Sequence, residues 1–270
     1  MQIRHQLMTI TLKTPFLYHQ NIADITPEAA SFIKEAHTHF ENQNIPKAME
    51  YYKKALAQNP KSSYLLSNFG TVLIVHGSIN EGIRNLRAAI QYNSACTSAH
   101  YNLGALLLSH GDLENALENL QKAHEIEPKN SMVKNNLALV HLHLNRADKA
   151  QEIFEEIMRE NPGFDYAVHN LGCIAYDQNN LALAIDRFEQ TQKINPTNFA
   201  AFNNAACALF LQNEPARALE MLHACIDLNP HFQPSYYNLG FMTHSQKKAA
   251  TAPAAHVCKD ACCGSPRDVN

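Results

Sequence analysis

The chain has no tryptophan and only nine glycines among its 270 residues. Both shortages argue against a loop-rich β protein. No apolar run is long enough to cross a bilayer as a helix, so no membrane partner is expected. Charge is scarce as well. The 22 Lys and Arg against 25 Asp and Glu leave a formal net charge of −3, which makes no electrostatic case for nucleic acid or an anionic lipid surface. The opening residues "MQIRHQLMTITLKTPFLYHQ" are broken by Thr, Lys and His and lack a small-residue cleavage site, so no secretory signal is expected. Seven cysteines form no disulfide framework by their spacing, which points to a reducing cytoplasm as the location. Catalytic signatures are missing too: there is no G-x-S-x-G, P-loop, Rossmann fingerprint or H-E-x-x-H, and an enzyme is not expected.

The sequence does contain a repeat. At a shift of 34 residues, prolines coincide at Pro60, Pro128, Pro162, Pro196 and Pro230, with Ser94 in the one vacant place. Leu-Gly-like pairs recur between them, at Phe69-Gly70, Leu103-Gly104, Leu137-Ala138, Leu171-Gly172, Ala205-Ala206 and Leu239-Gly240. A small residue returns at Ala48, Gly82, Ala116, Ala150, Ala184 and Ala218. Four positions after each comes a large one: Tyr52, Leu86, Leu120, Phe154, Phe188 and Leu222.

Each unit reads as two helices. In "SAHYNLGALLLSH" the apolar residues are spaced by three and four; a "GD" or "N-x-x" turn follows, then an amphipathic stretch such as "LENALENLQKAHEIE" closed by proline. Small residues at fixed points let two helices approach closely, and the large residue fills the neighbouring groove. The first unit opens at "TPEAA", with Thr26 as N-cap and Pro27 at the first helical position.

This register of Gly/Ala, Ala, aromatic or Leu, and Pro resembles the tetratricopeptide repeat family. The resemblance covers residues 27–248, as six full repeats plus a final half repeat. It implies an all-α fold, an α-solenoid in which helix-turn-helix units form a right-handed superhelix. First helices would line a concave groove that binds a peptide or partner protein. Residues 1–26 are left unassigned as an N-terminal segment, and 249–270 form a Cys-rich tail. The brief alternation "MTITL" in the N-terminal segment is compatible with a pseudo-ligand in the groove or with a leader.

One recurrence is unexpected in a buried helix. Asparagine is a poor helix former, yet Asn68, Asn102, Asn136, Asn170, Asn204 and Asn238 stand 34 residues apart, at the sixth position of each first helix. In the family this position faces the groove. Helices packed about 8–10 Å apart would make a column about 50 Å long. Each amide offers a donor and an acceptor and would meet roughly every third residue of an extended ligand, whose main chain it can bond whatever the ligand's side chains are. The array is similar in this respect to that of the O-GlcNAc transferases, although nothing here provides their catalytic domain. The alternative is that the asparagines bridge neighbouring helices.

Other groove-side candidates are Tyr64, Tyr101, His169 and Tyr237, together with Cys173, Cys207 and Phe241. Tyrosine is a frequent interface anchor; ordinary packing between first helices is the competing reading. First helices of repeats two to six carry almost no charge, Lys134, Asp165 and Asp177 excepted, which suits a neutral ligand. The family's chaperone-binding subset grips a carboxylate with Lys and Arg. Here those positions hold Ile33, His37, Asn68, Ser98 and Asn102, so that mode is not expected.

Fifteen histidines invite a metal reading, but His37/His39 and His141/His143 lie two apart on helices and diverge. The tail "HVCKDACC" brings together His256, Cys258, Cys262 and Cys263, a soft donor set suited to Zn or Cu(I). With no other cofactor implied, two functions follow. The first is a non-enzymatic scaffold for an extended protein segment; the alternative is a metal- or redox-responsive adaptor using the tail. The aromatic last helix, "QPSYYNLGFMTHSQKK", adds an expectation of self-association.

Overall fold

The computed structural model describes residues 25–249. Among them are thirteen α-helices and no strand: α1 (Pro27–Glu41), α2 (Ile45–Gln58), α3 (Ser63–Val75), α4 (Ile79–Tyr92), α5 (Thr97–Ser109), α6 (Leu113–Ile126), α7 (Ser131–His143), α8 (Ala147–Glu160), α9 (Asp165–Asp177), α10 (Leu181–Ile194), α11 (Phe199–Leu211), α12 (Pro215–Leu228) and α13 (Gln233–Ala249). This is an all-α helical repeat of six helix pairs and a last half repeat. Two compact units divide it within α7, their described parts being residues 25–140 and 141–249.

The helix boundaries follow local chemistry. Thr26 caps α1, accepting from the Ala29 N–H at 3.2 Å, with Pro27 behind it. Side chains of Asn44, Ser62, Asp112, Asn180 and Asn198 cap α2, α3, α6, α10 and α11 in the same way. The turn from first to second helix has one conformation throughout. A residue with positive φ stands at Gln43, Gly77, Gly111, Asn145, Asn179 and Asn213, again 34 apart. The N–H of the next residue reaches back five positions to close the helix end, as Asp112 does to the Leu107 carbonyl at 3.0 Å. Glycine and asparagine are the residues that tolerate this region, so the "G-x" and "N-x-x" turns are explained by backbone sterics.

Between second and first helices, Asn59, Asn161, Asn195 and Asn229 each precede a proline. They are held out of the helical region, ending the helix. Their carbonyls then accept from the N–H three residues on.

The repeated small and large residues make the core. Tyr52, Leu86, Leu120, Phe154, Phe188 and Leu222 are all completely buried. The glycines they face admit no side chain. A Cβ on Gly104 would lie 2.7 Å from Leu120 Cγ, and one on Gly172 would lie 2.7 Å from Phe188 Cε1. At Gly240, in the half repeat, no atom of the described residues lies within 4 Å of an added Cβ. First helices are buried on most sides; second helices such as α6 and α8 bury only a narrow stripe.

Candidate functional site

Asn102, Asn204 and Asn238 sit where successive first helices meet, and most of the six asparagines are buried. In the first unit Asn68 is 0 % exposed, Asn102 1 % and Asn136 0 %. The Asn102 Nδ2 donates to Thr71 Oγ1 at 2.9 Å. Thr71 in turn gives its proton to the Ser67 carbonyl at 3.0 Å, and the Ser67 hydroxyl meets that of Ser98 at 2.9 Å. Asn136 accepts from its neighbour Asn135 Nδ2 at 3.3 Å.

Not all of the amide capacity is used. Neither atom of the Asn68 amide, nor Asn102 Oδ1, nor Asn136 Nδ2 has a hydrogen-bond partner among the described residues. Tyr64, one turn before Asn68, is half-buried, and burial raises its pKa while the nearby Asn68 amide opposes the rise. Asn68 and Tyr64 are thus close without the geometry of a hydrogen bond.

The second unit is more fully bonded. Asn204 Nδ2 lies 3.4 Å from His169 Nε2 and 3.6 Å from Cys173 Sγ, and its Oδ1 accepts from Asn203 at 3.2 Å. Asn238 Nδ2 donates to Asn203 Oδ1 at 3.0 Å and lies 3.4 Å from Cys207 Sγ. Asn170 is half-buried. Asp165, one of the few charges on a first helix, accepts at Oδ2 from Asn195 (2.8 Å) and Asn198 (3.1 Å), so its carboxylate is tied between elements.

The register rule behind these bonds was not drawn from the sequence. Asn102, Asn204 and Asn238 each reach the residue 31 positions earlier, Thr71, Cys173 and Cys207 respectively. For Asn136 that residue is Ala105, which has no acceptor, and its Nδ2 is one of the unpaired atoms. The signal was present in the sequence as a second 34-residue column, Thr71, Ala105, Leu139, Cys173, Cys207 and Phe241.

Of the aromatic candidates, Tyr101 and His169 are buried, whereas Tyr237 is 59 % exposed. Phe241 packs edge-on against Phe210, ring centres 6.1 Å apart. His39 stacks on Tyr51 at 5.3 Å while His37 faces Tyr52, so that pair does diverge. Among the described residues no group of three or more His, Cys, Asp or Glu is placed to hold a metal. His256, Cys258, Cys262 and Cys263 lie outside the described residues, as does most of segment 1–26. No described helix is long and apolar enough to cross a membrane.

Stacked helix pairs with this turn, cap and core register define a helical-repeat scaffold, the class of fold that generally binds protein partners. The chain belongs to the tetratricopeptide repeat family, whose sequence patterns match residues 29–62, 67–131, 107–171 and 169–231. Members of this family are generally non-catalytic adaptors. No protein of curated function matches the sequence. Similar solved structures include PilF of Pseudomonas aeruginosa, at 19 % identity over 80 % of this chain and 97 % of that one, with a TM-score of 0.69. The APC/C hetero-tetramer Cut9–Hcn1 is similar at 16 % identity over 88 % of this chain and 46 % of that one, TM-score 0.72. YrrB, described as a repeat protein with an unusual peptide-binding site, is similar at 21 % identity over 74 % of this chain and 100 % of its own, TM-score 0.53. These likenesses concern the fold.

Proposed function

We propose that the protein is a non-enzymatic scaffold whose first helices hold an extended segment of another protein, with Asn68, Asn102 and Asn136 bonding its main chain. The supporting observation is the set of buried amide atoms without partners in the first unit. Leaving such an atom unpaired costs about 1–3 kcal/mol, and a ligand's N–H and C=O groups are the complement that three consecutive repeats lack. These atoms are closed to solvent, so entry of a ligand displaces the groups that cover them. Tyr64 and Tyr101 flank these amides in sequence and supply ring surface. In the second unit, taken by itself, Asn170, Asn204, Asn238, His169 and Tyr237 are the candidates for such contacts. The peptide-binding site for which YrrB is described supports a peptide as the ligand class. The cytoplasm is the compartment in which this scaffold works.

Affinity capture from the native cell, read by mass spectrometry, tests the reading. The wild type is compared with a chain carrying Asn68→Ala, Asn102→Ala and Asn136→Ala whose helicity and melting are checked first. A partner held by the wild type and lost from the folded variant supports it; unchanged capture overturns it.

The exposed rings of Tyr236 and Tyr237 on α13 favour a further contact there, a second copy of the chain. Light scattering that shows a monomer at high concentration would overturn that part.

A further inference from the structure

Cys173 differs from the other thiols of the described residues in its surroundings. It lies one turn after His169 on α9, with Sγ 3.6 Å from His169 Nε2. Asn204 on α11 places its Nδ2 3.6 Å from the sulfur and 3.4 Å from the same ring nitrogen. The imidazole is buried and its far side packs on Phe188, ring centres 5.5 Å apart. Cys173 itself is partly exposed, whereas Cys96 and Cys225 are buried thiols.

We propose that Cys173 is a nucleophilic modification site for small soft electrophiles, reacting as a thiolate paired with the His169 imidazolium. The thiol proton passes to Nε2. While Nε2 is bare it accepts the Asn204 N–H; once Nε2 is protonated that N–H turns to the sulfur, so one amide serves both states of the pair. The attacking sulfur forms the new C–S bond, the leaving group departs with its electron pair, and the proton stays on His169 until solvent removes it.

The charge pattern agrees. Burial alone opposes protonation of His169, but the Cys173 sulfur and the Asp165 carboxylate outweigh it and hold its pKa above the ordinary imidazole value. Facing the pair, α11 carries no charged residue. On α10 Arg187 is engaged with Gln190 at 2.9 Å and lies 3.6 Å from Asp186. Cys225, by contrast, is pushed up to about 11 by burial and lacks thiolate character.

The test is alkylation of the full chain with iodoacetamide, each cysteine followed by peptide mass spectrometry. At pH 7 Cys173 should react about ten-fold faster or more than Cys96 and Cys225, and its rate should stay nearly flat from pH 6.5 to 8. His169→Phe should slow it about ten-fold. A Cys173 rate that climbs about ten-fold per pH unit, as an ordinary thiol's does below its pKa, would overturn the proposal, as would an unchanged rate in a folded His169→Phe chain. The wild-type pH profile needs no variant, so it decides the matter should His169→Phe not fold.

Discussion

Asn102 donates its side-chain amide to Thr71 Oγ1, 31 residues earlier and one repeat back, at 2.9 Å. Both groups are buried, so the bond joins two first helices where water cannot substitute. Thr71→Val keeps the shape and removes the acceptor. Unfolding in urea should show a loss of about 1–3 kcal/mol, the cost of a buried donor left without a partner. A loss well below this range would mean that Asn102 finds another acceptor.

The converse change is a gain. Ala105 stands 31 residues before Asn136, as Thr71 stands 31 before Asn102. Ala105→Ser supplies a hydroxyl at that register, and the melting temperature should rise by the equivalent of about 0.5–1.5 kcal/mol. A fall would show that the site has no room for the oxygen.

Gln43 occupies the left-handed turn position with φ of 59°. Glycine adopts this region without steric cost, whereas an ordinary side chain gives up about 1–2 kcal/mol there. Gln43→Gly should therefore raise stability by about 1 kcal/mol after the added chain entropy of glycine is deducted. Asn213→Gly, at φ of 65°, should change stability much less. Paired denaturant titrations of the two variants check the contrast.

Two glycines of the same repeat position should answer differently to alanine. At Gly104 the new Cβ meets Leu120 Cγ at 2.7 Å, so the Leu120 side chain or its helix has to shift. Gly104→Ala should cost about 1–3 kcal/mol. At Gly240 no atom of the described residues lies within 4 Å of the new Cβ, so Gly240→Ala should be stabilising by up to about 1 kcal/mol through helix propensity.

His141 gives a pH dependence of known sign. Burial, helped by the positive charges of Arg146 and Lys149, holds its pKa below the ordinary imidazole value. The unfolded chain takes up this proton near pH 6.5 and the folded chain only at lower pH. Stability from this group is therefore complete above about 6.5 and falls as pH drops toward the folded value. His169, with its raised pKa, has the opposite sign. Comparing urea midpoints at pH 7.5 and 5.5 for the wild type and His141→Leu isolates the first effect. The wild type should lose more on acidification than the variant does.

The helix pairs, their caps and their length were legible from one sequence because each depends on neighbours in the chain. Thr26 and Pro27 start α1 through bonds within four residues, and an asparagine before Pro196 must leave the helical region wherever the fold carries it. Repetition amplified these local signals, since a pattern tolerated once by chance does not return at a fixed shift of 34. The close approach of Gly104 to Leu120 was legible for a related reason. A small residue and a large one 16 positions apart keep the same separation in repeat after repeat.

By itself the sequence determined the all-α repeat, the register of its core and the existence of an asparagine column, because helix periodicity and backbone sterics act over a few residues. Only the tertiary structure decided which of these amides find a hydrogen-bond partner within the chain. Whether the amide nitrogen is paired depends on the side chain 31 residues away on another helix: a hydroxyl at Thr71 gives Asn102 Nδ2 an acceptor, while Asn136 Nδ2, with Ala105 at that place, has no partner among the described residues. Hydrogen bonds act only over about 3 Å. The chemistry of the column is therefore set by which helices come into contact, a relation that no local pattern contains.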